Sequence, residues 1–423
     1  MTRPCSKRSA LNHCNCNKQI LVQMNRGIVN RLIANGTIAT RRIQAELADL
    51  AFRAQLRDLA PPEGIDLNSN DYLGLATDPR MKQAILEAVE SAPRVASTGS
   101  RLLSGHDQAW AAVEMEFASG VGTEAALYFT SGYAANIGLL SALLREEDVV
   151  FSDSSNHASI VDGIRLSKCR RVIFPHLDLN FLEEELRRNA SAGGMRAIVV
   201  ESVFSMNGDC APLLELMALA ERHGAELIVD EAHAVGVRGP AGRGCVAEAG
   251  LDGRVLATVH TCGKALAAAG AFVCGSEKLC QFLINRARTF IFSTALPPYF
   301  AAQVAAGMRF AAAAEAERAH LDKTSAFLRT ELMRNGFDIA RSDSHIVPVI
   351  LGANETAMNF AAHLRARGFG VRAIRPPTVP AGSARLRLSL TAKLTEEILA
   401  ELVACMIQAR EQNTLERSAS VPR

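Results

Sequence analysis

The chain has 423 residues, 48% hydrophobic and 21% charged, an ordinary globular balance with room for two or three domains. A formal net charge of +2 offers no global pull toward nucleic acid or anionic membrane, and no apolar run approaches the ~20 residues of a membrane-spanning helix. Most of the ten cysteines stand singly in apolar stretches (Cys169, Cys245, Cys262, Cys274, Cys280, Cys405), the pattern of reduced thiols in a cytosolic protein and not of a disulfide scaffold.

In chain order, the first 45 residues carry no Asp or Glu but several Arg and Lys. Residues 1–40 read as a disordered leader; a mitochondrial transit peptide or an upstream start ahead of Met24 are the alternatives. Cys14 and Cys16, with Cys5 and His13 nearby, have C-x-C spacing and no second pair, so no metal site is expected. Residues 41–72 form an N-terminal helical segment, with helical periodicity over 43–59 stopped by Pro61-Pro62. Short β-rich runs then recur at 126–129, 149–152, 171–174, 197–200, 227–230, 255–258 and 271–274. An amphipathic helix at 212–223, closed by Gly224, lies between two of them. This alternation predicts an α/β fold: a mostly parallel seven-stranded sheet sandwiched by helices over 73–300, with ligands at the carboxyl ends of the strands. After Pro297-Pro298 the chain reads as one helical stretch, 299–335. Strands at 346–351, 371–374 and 384–390 and helices at 357–367 and 395–410 complete a smaller C-terminal α/β domain, 301–410. Residues 411–423 read as a tail.

Several motifs do not survive inspection. Asp230-Glu231-Ala232-His233 spells a helicase box, but no G-x-x-x-x-G-K-[ST] accompanies it. Gly120-Val121-Gly122 precedes a strand instead of following one, so it cannot present phosphate to a helix N-terminus. The sequons at Asn35, Asn189 and Asn354 come with no secretion signal.

Four segments carry chemistry together. Asp230 ends an apolar strand, where an acid needs a cationic or hydrogen-bonded partner; a protonated pyridine nitrogen would be one, and it would make the ring an electron sink. His233 lies three residues on. Read alone, Asp230 could also be a helix cap. Lys264 follows Thr261-Cys262-Gly263 and precedes small residues, so desolvation would favour its neutral, nucleophilic amine. Phe129–Thr130–Ser131–Gly132 turns from strand to helix and aims backbone N–H groups at an anion, although an ordinary N-cap reads the same way. His157 follows another strand, where it could stack on an aromatic cofactor or be a plain loop histidine. Arg385 and Arg387 alternate along one strand face, suited to a carboxylate.

These segments extend into nine motifs in one order: NSNDYLGLA (68–76), STGSRLLSGHD (97–107), FTSGYAAN (129–136), DSSNHASI (153–160), ESVFSMNGD (201–209), VDEAHAVG (229–236), VHTCGKAL (259–266), FIFSTALPP (290–298) and IRPPTVPAGSARLRLSLTA (374–392). From residue 68 to 392 the chain resembles the α-oxoamine synthases of the fold-type I aminotransferase superfamily. The resemblance implies a fold-type I transferase that uses pyridoxal 5'-phosphate (PLP), carried as an imine on Lys264, which later moves the substrate's α-proton. It implies Asp230 at the pyridine nitrogen, His157 over the ring, and His233 and Ser205 at the phenolic oxygen. Gly132, Tyr133 and Thr261 would hold the phosphate, with Thr294 reaching it from a second subunit of a homodimer. Asn70 and Arg387 would meet the amino acid, Arg385 being structural.

The implied reaction is a decarboxylative condensation of L-alanine with a pimeloyl thioester of coenzyme A or a carrier protein. It releases 8-amino-7-oxononanoate, carbon dioxide and a free thiol in the cytoplasm, as a step of biotin biosynthesis. A sister synthase using glycine or serine with another acyl-CoA is the first alternative. A non-catalytic scaffold subunit is the second, but it would be expected to lack the lysine. The chain departs from the family pattern at Asn207, at Thr98, where glycine is common, and in the run Ala267-Ala268-Ala269-Gly270.

Overall fold

The computed structural model describes residues 37–57, 59–191 and 193–419. Residues 1–36 of the expected leader, with Cys5, His13, Cys14, Cys16, Met24 and Asn35, lie outside the described residues, as do residues 420–423 of the tail. The chain forms two compact units, Met1–Pro61 and Pro62–Arg423. In the first, the helix is Ile38–Phe52, capped by the Thr37 hydroxyl, which accepts from the Thr40 amide. It starts earlier and stops earlier than the periodicity over 43–59 suggests, because Ala54 takes a left-handed conformation (φ 53°) that ends the helical path.

In the second unit, β1 (Ile65–Asp66) is followed by β2 (Ala125–Phe129), β3 (Val149–Asp153), β4 (Arg170–Phe174), β5 (Arg196–Glu201), β6 (Glu226–Asp230), β7 (Ala257–Thr261) and β8 (Ala271–Gly275). Strands β2 to β8 make the expected seven-stranded sheet in the order β2-β8-β7-β6-β5-β3-β4. All run parallel except β8, which is antiparallel to β2 and β7. Alternate residues serve opposite faces. Val150, Val199 and Ile228 pack with Leu139, Leu140, Ile160 and Ile164 of the helices Gly132–Leu143 and Ala158–Ser167. Phe151, Ile198, Val200, Leu227 and Val229 pack with Leu213, Leu216 and Leu219 of the helix Leu213–His223. Covering on both faces is why β5 and β6 read as continuous apolar runs. The edge strand β4 instead exposes Arg170 and Arg171, charges that discourage edge-to-edge pairing.

A three-stranded antiparallel sheet follows, in the order β11 (Ala373–Ile374), β12 (Ala384–Ser389), β9 (Ile346–Gly352). β1 pairs in parallel with β10 (Phe369–Gly370), which ties the segment entering the unit to a strand some 300 residues later.

The elements of this second unit differ most from the sequence reading in four places. β7 is Ala257–Thr261, not 255–258: Val255 has high strand propensity but lies in a bend, and pairing begins at Ala257, flanked by Ile228 and Gly275. The stretch 299–335 is two helices, Tyr299–Ala313 and Glu315–Arg334. The buried Arg318 guanidinium donates to the carbonyls of Ala311, Ala312 (3.2 Å) and Gly236 (3.4 Å), closing the first helix at its negative end. Of the run 371–374 only Ala373–Ile374 is strand, as β11, and β10 lies just ahead of the run at Phe369–Gly370. The last helix, Glu396–Ala419, continues well into the segment expected to be tail. Among the described residues no helix is long and apolar enough to cross a membrane.

Candidate active site

The carboxyl ends of β3, β5, β6 and β7 converge with the start of the helix Gly132–Leu143. Asp230 is the last residue of β6 and is buried. Its Oδ1 accepts from the Ala232 amide at 2.9 Å, and its Oδ2 accepts from Asn136 Nδ2 at 2.7 Å. Asn136 also donates to Ser159 Oγ at 3.0 Å. Ser159 in turn meets His157 Nδ1 at 2.8 Å. The acid expected at the ring and the histidine expected over it are thus joined by two intervening side chains. His157 also caps the helix Ala158–Ser167 by accepting from the Ser159 amide.

Lys264 stands in the turn beyond β7. Burial pushes its amine down to about 8, with Asp230 and Glu201 pulling the other way and Arg387 adding to the depression. Glu201, the last residue of β5, is buried. Burial and the neighbouring Asp230 push its carboxyl up to about 8, although its Oε2 accepts from the Ser205 amide at 3.0 Å. Its Oε1 is buried, with no partner among the described residues. Glu201 is an acid closing an apolar strand, the same signal that marked Asp230, and was not singled out as a site residue.

At the helix N-terminus Ser131 Oγ accepts from the Ala134 amide. A Cβ on Gly132 would lie 2.4 Å from Thr261 Cγ2, so the close approach of these two chain segments demands glycine. Thr261 Oγ1 donates to the Ala232 carbonyl at 3.3 Å. The Tyr133 hydroxyl donates to Asp162, and the ring lies edge-on to His157 with centroids 6.3 Å apart.

On the opposite side β12 brings in two buried arginines. Arg387 Nε donates to the Ser205 carbonyl at 2.5 Å and Nη1 to Asn70 Oδ1 at 3.1 Å. Arg385 Nη1 donates to Asn207 Oδ1 at 2.8 Å and to the Met206 carbonyl at 3.3 Å. Asn207 therefore suits a turn that this arginine pins. His233 Nδ1 lies 2.5 Å from the Tyr72 hydroxyl, which is also 3.0 Å from Asn70 Oδ1. Tyr72 lies in the motif 68–76, but nothing in the sequence marks its hydroxyl as part of the site. Thr294 is exposed and its backbone pairs with Ser100; among the described residues no hydrogen bond joins its side chain to this cluster.

Beneath the cluster, His176 bridges two buried carboxylates: Nδ1 lies 2.8 Å from Asp153 Oδ1 and Nε2 2.7 Å from Asp209 Oδ2. Among the described residues no group of three His, Cys, Asp or Glu is placed to hold a metal.

The donor set fits PLP. An amine poised near neutrality, a buried carboxylate braced by Asn136, and a helix N-terminus whose glycine tolerates no side chain are what an aldehyde, a pyridine nitrogen and a phosphate need. The family model for aminotransferase class I and II matches residues 62–405. The chain belongs to the aminotransferase class I and II family. It is 45% identical over 382 residues to an 8-amino-7-oxononanoate synthase of Geobacter sulfurreducens, covering 87% of this chain and 97% of that one. The fold superposes on S. paucimobilis serine palmitoyltransferase, solved with a PLP–myriocin adduct. The TM-score is 0.82 at 30% identity, over 90% of this chain and 100% of that one. It also matches 8-amino-7-oxononanoate synthase of Francisella tularensis, with a TM-score of 0.71 at 28% identity, over 83% and 99% of the two chains. The fold is that of the fold-type I transferases, and the cofactor is PLP.

Proposed function

We propose that this protein condenses L-alanine with a pimeloyl thioester and releases 8-amino-7-oxononanoate, carbon dioxide and the free thiol. The observation that carries the reading is the depressed amine of Lys264 beside the braced carboxylate of Asp230, in a chain so similar to a curated 8-amino-7-oxononanoate synthase.

When bound, PLP supplies an electron sink for the carbanion left when the amino acid loses its α-proton. The side chains do the rest. Lys264 Nζ, neutral in part near pH 7, is the group that would hold the cofactor and take the α-proton of the amino acid. Asp230, held by Asn136 and the Ala232 amide, would keep a positive charge at the pyridine nitrogen. Removing it would leave that charge unpaired in a buried site. His157 would cover one ring face. Ser205 and His233 would address the phenolic oxygen. Gly132, Tyr133 and Thr261 would hold the phosphate at the helix N-terminus. Arg387, with Asn70, receives the alanine carboxylate through charge-assisted bonds.

A homodimer belongs to this reading. Leu103 (83% exposed) and Phe292 (70% exposed) flank the Ser100–Thr294 bridge; a second copy would bury these side chains and bring Thr294 toward its partner's phosphate site. The reading also places the enzyme in the cytoplasm, where thiols stay reduced.

The test is product analysis. Purified protein with PLP, L-alanine and pimeloyl-CoA should release free thiol and a product of the expected mass, and Lys264→Ala should release neither. A pimeloyl-carrier protein offered in parallel identifies the donor. The higher TM-score with serine palmitoyltransferase favours a second reading, a serine-using sister synthase. Turnover with L-serine and a long-chain acyl-CoA, and none with alanine, would establish it.

A further inference from the structure

Tyr72 is fully buried between two histidines and a site asparagine. Its hydroxyl lies 2.5 Å from His233 Nδ1 and 3.0 Å from Asn70 Oδ1. The edge of its ring packs against His345, with centroids 4.0 Å apart, which fixes the direction in which the hydroxyl points.

A phenol has one proton to donate, and here it has two possible acceptors. Asn70 Oδ1 already receives Arg387 Nη1 at 3.1 Å and Ser389 Oγ at 3.4 Å. A carbonyl oxygen offers two lone pairs, and both are engaged without Tyr72. The contact to His233 is also the shorter of the two. His233 is neutral: burial, together with the positive charge of Lys264 and Arg387 and the neighbouring His345 and His157, pushes it well below its ordinary pKa. A neutral imidazole carries its single proton on one nitrogen, and the partner of the other nitrogen decides which. Among the described residues no hydrogen bond engages His233 Nε2.

We propose that Tyr72 is a positioning residue: by donating to His233 Nδ1 it holds the imidazole proton on Nε2, so that His233 meets the cofactor as a hydrogen-bond donor. Asn70 links this arrangement to Arg387. If a substrate carboxylate draws Arg387 off Asn70, the asparagine oxygen gains a free lone pair and competes for the Tyr72 proton. The state of the amino-acid site is thereby transmitted to His233 through two side chains. The role at the cofactor rests on the function proposed above; the proton position in the protein itself does not.

The experiment is nitrogen NMR of protein labelled with 15N-histidine, without PLP and after loading, with the His233 signals assigned by their loss in His233→Asn. The wild type should show His233 as the Nε2–H tautomer in both states. Tyr72→Phe should lose that preference and give a mixture or the Nδ1–H form. In loaded Tyr72→Phe, the midpoint pH of the visible band should shift, and kcat should fall about tenfold or more with a smaller change in KM. Wild-type His233 protonated on Nδ1 would overturn the proposal whatever the variant does, and so would a Tyr72→Phe spectrum that leaves the tautomer unchanged. A protein that never binds PLP would sink the functional reading and still leave the tautomer measurement able to decide this one.

Discussion

Lys264 is surrounded so that its amine gives up a proton near pH 8, not near its ordinary value of 10.5. Only the neutral amine attacks an aldehyde. The rate at which the visible band develops when PLP is added to cofactor-free protein should therefore climb from pH 6.5 and level off above about pH 8. A rate still climbing at pH 10 would mean that burial does not depress this amine. Ala267, two residues past the loop's buried Ala265, has φ 46°. A left-handed conformation costs a residue with a Cβ about 1 kcal/mol, so Ala267→Gly should stabilise the protein by up to about 1 kcal/mol in urea denaturation. A loss of stability would show that the methyl packs well enough to outweigh the strain. Asp230 was legible because it is an acid where an apolar run stops, Lys264 because it stands among small residues, and His157 because it follows a strand. Glu201 was equally legible and was passed over. The network of Asn70, Tyr72, His233, His345 and Arg387 was not, because its members come from four distant parts of the chain and no spacing rule connects them.

His176 joins two elements that carry site residues: the loop after β3, which leads to His157, and the turn 203–210, which holds Ser205 and Asn207. Burial alone would lower its pKa, but the bonds to Asp153 and Asp209 outweigh burial and raise it to about 9. A histidine whose folded value is raised adds stability that is fully present below its unfolded value of ~6.5 and disappears as pH rises through the folded value. The difference in melting temperature between wild type and His176→Asn should be large at pH 6 and should shrink between pH 6.5 and about 9. A difference that does not vary across that window would mean the imidazole is not charged in the fold. At this scale the sequence showed the strands of the large sheet to within a residue or so, because a buried parallel strand is a continuous apolar run. It misplaced β7, whose His260 and Thr261 are polar residues that the sheet and its covering helix accommodate. It also missed the break at Ala314, which depends on Arg318 folding back onto carbonyl groups, a tertiary contact in an otherwise helical run.

The whole chain supplies one face of a site that the account completes with a second copy. Light scattering should give twice the chain mass, and dilution below the dimer dissociation constant should lose activity and the visible band together. A fully active monomer would remove Thr294 from the site. Order of motifs along the chain made the family readable, since nine segments in sequence constrain a topology far more than any one does. Amino-acid choice was not readable in that way, because the pocket is assembled by packing.

Whether this is a PLP enzyme on Lys264 that accepts alanine is decided by titrating the visible absorbance of the loaded protein with L-alanine, glycine and L-serine beside Lys264→Ala. The wild type should be yellow, with a band that responds at the lowest concentration to alanine, and the variant should lack that band. A wild type that stays colourless with added PLP would contradict the account. A yellow protein that answers serine or glycine and ignores alanine would keep the fold and the chemistry and overturn the substrate.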